Sequence, residues 1–192
     1  TPLASVADMA AWIFRLMDAA NIERAALVGH SMGGAMALEA AAMRPERVTH
    51  LAVIGSAATI PVSDALLAAA HDAPDKAYDL MTNWAVAPAS RIGPNPTPGL
   101  SLVGCSRAVF AGNRPLTLYT DLAACNAWTS GPAAAAGVKC PTLVLTAERD
   151  LMTPSKRGAE LAKAIPGAKQ VAIPAVGHMI MAEAPDEELV DE

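Results

Sequence analysis

Apolar positions recur along the chain with two different periods, and the periods alternate. Over residues 5–20, Val6, Met9, Ala10, Ile13, Leu16 and Met17 fall three and four apart, the stripe of one amphipathic helix. Ser5 followed by Asp8 fits a capping box at its start, and Asn21 is a plausible stop. Residues 25–28 form a short unbroken apolar run, which predicts a buried strand. Residues 35–43 return to a helix-forming run, ended by Pro45. Residues 48–54 read as a second buried strand, closing at Gly55 and Ser56. Strand, helix and strand in succession predict a parallel sheet with crossover helices.

From about residue 60 the pattern changes. Helical periods cover 64–71, 74–84, 101–110 and 115–128. Between them, 88–99 carries Pro88, Pro94, Pro96 and Pro98 with Gly93 and Gly99, a run that breaks regular structure. Residues 60–138 are therefore expected to be a mostly helical insertion, capping a pocket at the carboxyl end of the sheet. Trp84 and Trp128 fall inside it, where packing the helices together is the plainer role. Alternation then resumes. Residues 141–146 predict a strand, 147–150 its turn, and 154–165 a helix with Thr153 as cap and Pro154 at the first position. Residues 169–173 predict another strand, 174–178 a loop, and 179 onward a helix interrupted near Pro185. The expected organisation is an α/β core from 1–59 and 139–192, with 60–138 as the cap.

Composition narrows the class. A chain of 192 residues can bury a sizeable core, and 53% hydrophobic against 17% charged residues excludes disorder. Net charge is −5 and no basic run exists, which argues against a nucleic-acid partner. No apolar run is long enough to span a bilayer. Cys105, Cys125 and Cys140 are odd in number and lack C-x-x-C spacing. They predict neither a disulfide framework nor a zinc site, and favour a reducing, cytoplasmic setting.

The chemistry gathers at Gly29-His30-Ser31-Met32-Gly33, a G-x-S-x-G set between the first strand and the second helix. That context predicts a nucleophile elbow. The serine sits on a strained turn, Gly29 and Gly33 let strand and helix approach, and the Met32 N–H points at a developing oxyanion. A serine hydroxyl needs a base poised near neutrality. His30 adjoins Ser31 and is expected to point away from it, as a packing residue. His50 is at the opposite end of the sheet, and His71 is in the insertion. His178 follows a strand directly and shares the carboxyl rim with Ser31, which makes it the expected base. Asp150, just past the preceding strand, is the expected acid behind it. Glu148 lies closer to the strand, and Asp121 sits on an insertion helix.

Ser31, Asp150 and His178 stand in the chain order of the α/β-hydrolase superfamily, which the sequence resembles over nearly its whole length. The motifs are G-H-S-M-G-G at the elbow, P-T-L-V-L-T-A-E-R-D at the acid strand and G-H-M-I-M-A-E-A-P at the histidine loop. It most resembles the capped bacterial hydrolases that include enol-lactone hydrolases, carboxylesterases, carbon–carbon bond hydrolases and cofactor-free haloperoxidases. Ala147 departs from the usual glycine. The strands and the H-G loop that precede the first helix in the family have no counterpart here. The resemblance thus implies an N-terminally truncated fragment, with the second oxyanion donor absent from this chain. It also implies hydrolysis of a small apolar ester or lactone through an acyl-enzyme on Ser31, with no cofactor and no metal. Cleavage of a β-diketone and haloperoxidase chemistry are alternatives on the same site. A non-catalytic ligand receptor is an alternative of another class. Met32, Met152 and Met179 directly or nearly follow the three residues and are candidates to line an apolar pocket.

Overall fold

Among the described residues, four parallel strands carry the fold. They are β1 (Ala25–His30), β2 (Val48–Ile54), β3 (Thr142–Ala147) and β4 (Lys169–Ile173), hydrogen-bonded in the order β1-β2-β3-β4. The computed structural model describes residues 3–92 and 98–185. Parallel neighbours need long crossovers. α2 (Met32–Met43) joins β1 to β2, and α9 (Ser155–Ala164) joins β3 to β4. Between β2 and β3 run α3 (Asp64–Asp72), α4 (Pro74–Ala85), α5 (Pro88–Ile92), α6 (Leu102–Ala111), α7 (Thr117–Ala127) and α8 (Gly131–Gly137). α1 (Val6–Ala19) opens the chain and α10 (Ile180–Glu183) follows the last strand. The proline-rich expectation at Pro94 and Pro96 lies outside the described residues, as does the helix expected beyond Pro185.

The first helix is capped as the sequence predicts, with the Ser5 hydroxyl accepting from the Asp8 N–H at 3.1 Å. Its buried stripe differs in one place. Phe14 is buried and Leu16 is 51% exposed. The reason is packing against Arg44 and Arg47, whose guanidinium groups lie 5.2 and 5.7 Å from the Phe14 ring. β1 is longer than predicted, running on through Gly29 to His30, and it is not fully buried. It lies at one edge of this sheet, where Val28 is 70% exposed. A short apolar run does not by itself distinguish a central from an edge strand.

Among the described residues, three apolar clusters hold the layers. The largest joins α1, α2, β1 to β3, α8 and α9 around Phe14, Leu38, Leu51, Val53 and Val144. Trp128 and the α8 residues Ala134 and Ala135 belong to it, and the Trp128 indole N–H donates to Glu39 Oε2 at 2.9 Å. A second cluster centres on Leu66, Ala70, Ala77 and Met81 of α3 and α4, with Phe110, Leu118 and Leu122 against it. The third, Ala147, Ile173, Val176 and Ile180, lies beneath the loop after β4.

Two glycines set how closely α2 approaches the sheet, and they are not quite the expected pair. A Cβ at Gly29 would overlap the Gly33 carbonyl, and one at Gly34 would stand 2.7 Å from Ser56 Cβ. Gly33 faces open space. It is Gly34, not Gly33, that lets the helix lie close, because the buried side of α2's first turn falls one residue later. Gly29→Ala is therefore expected to force α2 off the strand. Thermal unfolding should show a midpoint lower by roughly 6–12 °C, whereas Gly33→Ala should leave it nearly unchanged.

Candidate active site

Ser31 holds φ 55° and ψ −122°, a left-handed backbone that an L-residue adopts only under constraint. The constraint is visible on both sides. Its N–H donates to Ile54 O at 2.9 Å, tying it to the end of β2. Its carbonyl accepts from the Gly34 and Ala35 N–H groups at 2.9 and 3.3 Å as α2 begins. The Met32 N–H falls in that first helical turn, where amides have no intrahelical acceptor and the helix dipole favours negative charge.

Asp150 and His178 come from the loops after β3 and β4, so both stand at the same carboxyl rim as Ser31. They meet in a buried pair, with His178 Nδ1 2.8 Å from Asp150 Oδ2. A carboxylate only accepts, so Nδ1 carries a proton, and in the neutral ring Nε2 is then the bare nitrogen. Nε2 is buried and has no hydrogen-bond partner among the described residues. No hydrogen bond joins it to Ser31.

The acid is braced by its own loop. Asp150 Oδ1 accepts from the N–H groups of Met152 and Thr153, both at 2.8 Å. The Thr153 hydroxyl lies 2.8 Å from Asp150 Oδ2, 2.7 Å from Gly55 O and 3.2 Å from His178 Nδ1. Burial alone would push the Asp150 carboxyl up. The hydrogen bond and charge of His178, with the Thr153 bonds, hold it below the usual carboxylate range. Thr153 was expected to cap α9, but that helix starts at Ser155 with Pro154 as its cap residue and no side-chain bond. The hydroxyl is turned instead toward the acid. Thr153 lies three residues past an aspartate, a spacing that also serves an Asx-type turn, and this was the signal available.

Gly55, with φ +52°, passes so close that a Cβ there would stand 3.4 Å from His178 Nδ1 and 3.5 Å from Asp150 Oδ2. The histidine loop is fastened to the end of α4. Met179 N–H donates to Ala85 O at 3.2 Å, and Ala87 N–H to Glu183 Oε2 at 3.1 Å.

The other candidates are placed elsewhere. His50 is exposed on β2, within the strand. His71 is on α3, 2.6 Å from the Asp72 carboxylate. Glu148 accepts from the Ala175 N–H at 3.4 Å, bracing the loop after β4. Asp121 is on α7, where burial pushes its carboxyl up. Met152 packs against the α3–α4 cluster, linking the acid loop to those helices.

His30 overturns the expectation of a simple packing residue. Its Nε2 is 2.8 Å from His178 O, and the two rings lie 4.5 Å apart at 48°. Adjacency in sequence to Ser31 hid this contact, which spans 148 positions of chain. Burial, and then the nearby charge of His178, lower its pKa from 6.5 to about 4. The unfolded chain takes up this proton below about pH 6.5, while the folded protein refuses it until about pH 4. The folded state is thus favoured fully above about pH 6.5. It should lose about 3 kcal/mol from this group as pH falls through that window, with no further loss below it. Urea unfolding at pH 7, 5.5 and 4 reads the slope, which His30→Phe should flatten.

This arrangement of a strained serine, a buried histidine–aspartate pair and a common sheet rim matches the comparison with known families. A model of the Alpha/beta hydrolase family matches residues 1–192. The chain belongs to the alpha/beta hydrolase family. Among curated relatives, a protein of Klebsiella pneumoniae subsp. pneumoniae named as a carbamate hydrolase, RutD, is 31% identical over 186 residues. The match covers 91% of this chain and 66% of that protein. A thermophilic esterase of known structure is 29% identical with a TM-score of 0.81, over 97% of this chain and 71% of its own. The enol-lactonase from Burkholderia xenovorans LB400 is 26% identical with a TM-score of 0.84, over 95% and 69%. The hydrolase fold expected from the elbow and the alternating strands is therefore the fold observed. No helix of the described residues is long and apolar enough to cross a membrane.

Proposed function

We propose that this hydrolase cleaves a small carboxylic ester or lactone through an acyl-enzyme on Ser31. The observation that carries it is the buried Asp150–His178 pair, which leaves His178 Nε2 unpartnered at the rim where Ser31 holds its strained backbone. His178 takes the Ser31 proton at Nε2 as Oγ attacks the carbonyl carbon. Asp150 stays ionised and stabilises the imidazolium. The Met32 N–H donates to the oxyanion. His178 then protonates the leaving alcohol, and water deacylates the enzyme with His178 again as base. No cofactor or metal enters these steps.

The likeness to an esterase and an enol-lactonase supports the ester and lactone classes. Likeness to a protein named as a carbamate hydrolase makes a carbamate the second substrate class, since its carbonyl would be attacked in the same way. The helices α3, α4, α6 and α7, with their own apolar cluster, serve in this proposal as the cap, and Met152 joins them to the site. The chain spans 66% of the length of the RutD relative, so the activity is put forward for the protein to which this chain belongs. A fluorophosphonate probe should label Ser31, and a panel of p-nitrophenyl esters, lactones and carbamates should show turnover. Absence of labelling together with tight binding of a small ligand would favour a receptor on this fold.

A further inference from the structure

The contacts that fix Asp150 leave part of the His178 geometry undetermined. A hydrogen bond from Nδ1 to Asp150 anchors one corner of the imidazole. Nε2, the atom that must face the nucleophile, has no hydrogen bond to hold it among the described residues. Something else has to set its aim.

His30 is built to do so. It ends β1, and the next residue in the chain is Ser31. Its Nε2 reaches the main-chain carbonyl of His178 at 2.8 Å, and its ring lies against the His178 ring at 4.5 Å. A carbonyl only accepts, so His30 Nε2 carries the proton and donates it. The path from nucleophile to base then runs through one peptide link, one side chain and one hydrogen bond. We propose that His30 is a positioning residue, whose Nε2–H bond to the His178 carbonyl and ring contact hold His178 Nε2 at a fixed separation from Ser31. This rests on the reading of Ser31 and His178 as nucleophile and base.

The chemistry of the residue suits the task. Burial keeps His30 neutral near pH 7, so it adds no second positive charge beside the imidazolium that His178 becomes. Its donor stands at the far edge of a flat ring, a reach that Gln shares and that Phe matches in shape without the donor. A residue that merely filled space would tolerate Phe.

Two variants separate positioning from packing. In His30→Phe, kcat for p-nitrophenyl acetate is expected to fall about 10–100-fold. KM should stay within about threefold, because substrate binding does not involve the ring. His30→Gln keeps the donor and should recover kcat to within about fivefold of the native value. A His30→Phe enzyme with native kcat, or a Gln variant as impaired as the Phe one, overturns the assignment. Should the Phe variant fail to fold by circular dichroism, ¹⁵N spectra of the native protein decide instead. A proton bonded to His30 Nε2 and slow to exchange supports it, and a bare Nε2 overturns it. If the native protein neither labels with fluorophosphonate nor turns over ester, the hydrolase reading of Ser31 fails. The tethering of His178 is then still read from its ring signals. Native-like signals in His30→Gln with displaced signals in His30→Phe support the tether, and native signals in both overturn it.

Discussion

Ser31→Ala is expected to lower kcat toward p-nitrophenyl esters by roughly 10⁴–10⁶-fold and to abolish fluorophosphonate labelling. The size follows from what the serine does. In the proposed mechanism its Oγ forms the covalent intermediate, and removing it leaves only the Met32 N–H and the shape of the site to assist water. KM should change little, since the Ser31 hydroxyl is a small part of the binding surface. The fold should persist, because the hydrogen bonds that hold position 31 use its main chain: its N–H to Ile54 O and its carbonyl to Gly34 and Ala35. Thermal stability serves as the control: alanine meets the same φ of 55° as serine, and the midpoint is expected to stay near the native one. A Ser31→Ala protein that retained a tenth of its activity would remove Ser31 from the reaction.

The second large effect is expected at the acid. Asp150→Asn should reduce kcat by about 10⁴-fold with KM nearly unchanged. In the native site the carboxylate accepts the Nδ1 proton at 2.8 Å and so leaves Nε2 bare. An amide can turn its NH₂ toward Nδ1, which moves the ring proton to Nε2, where it blocks uptake of the serine proton. The same substitution also carries a stability signature. Because the folded Asp150 carboxyl is held low, its contribution is complete above the unfolded value of about 4 and is lost as pH falls below it. Acid titration of native and variant proteins should therefore diverge most near neutrality and converge at the lowest pH. Native activity in Asp150→Asn, or identical acid titrations, would count against this role.

Some of these contacts could be anticipated and some could not, and the division follows the range of the interaction. Ser5 caps α1 because its partner is three residues away, within the reach of any local pattern. The bounds of β2 were legible because an apolar run closed by turn residues marks a buried strand. Leu16 and Phe14 exchanged places because periodicity gives a stripe about four positions wide. The two guanidinium groups that cover Phe14 come from beyond α2's C-terminus and the turn after it. Gly34 outranked Gly33 for a similar reason, since the phase of a helix against a sheet is set by packing. Thr153 was assigned to the helix that follows it, while the buried carboxylate behind it offered the stronger partner.

By itself, the sequence determined an alternating α/β chain, a tight strand-to-helix turn at Ser31, and the carboxyl rim of the sheet at which Ser31, Asp150 and His178 fall. Each of these follows from the local physics of strand, turn and helix, together with the rule that parallel strands all end at one side. Only the tertiary structure decided that Asp150 and His178 are paired and buried, that Gly55 and Thr153 press against that pair, and that His30 reaches across to the His178 carbonyl. Those contacts depend on loops brought together by the sheet. Distances between such loops are fixed by strand register and packing, neither of which is written in any one stretch of chain.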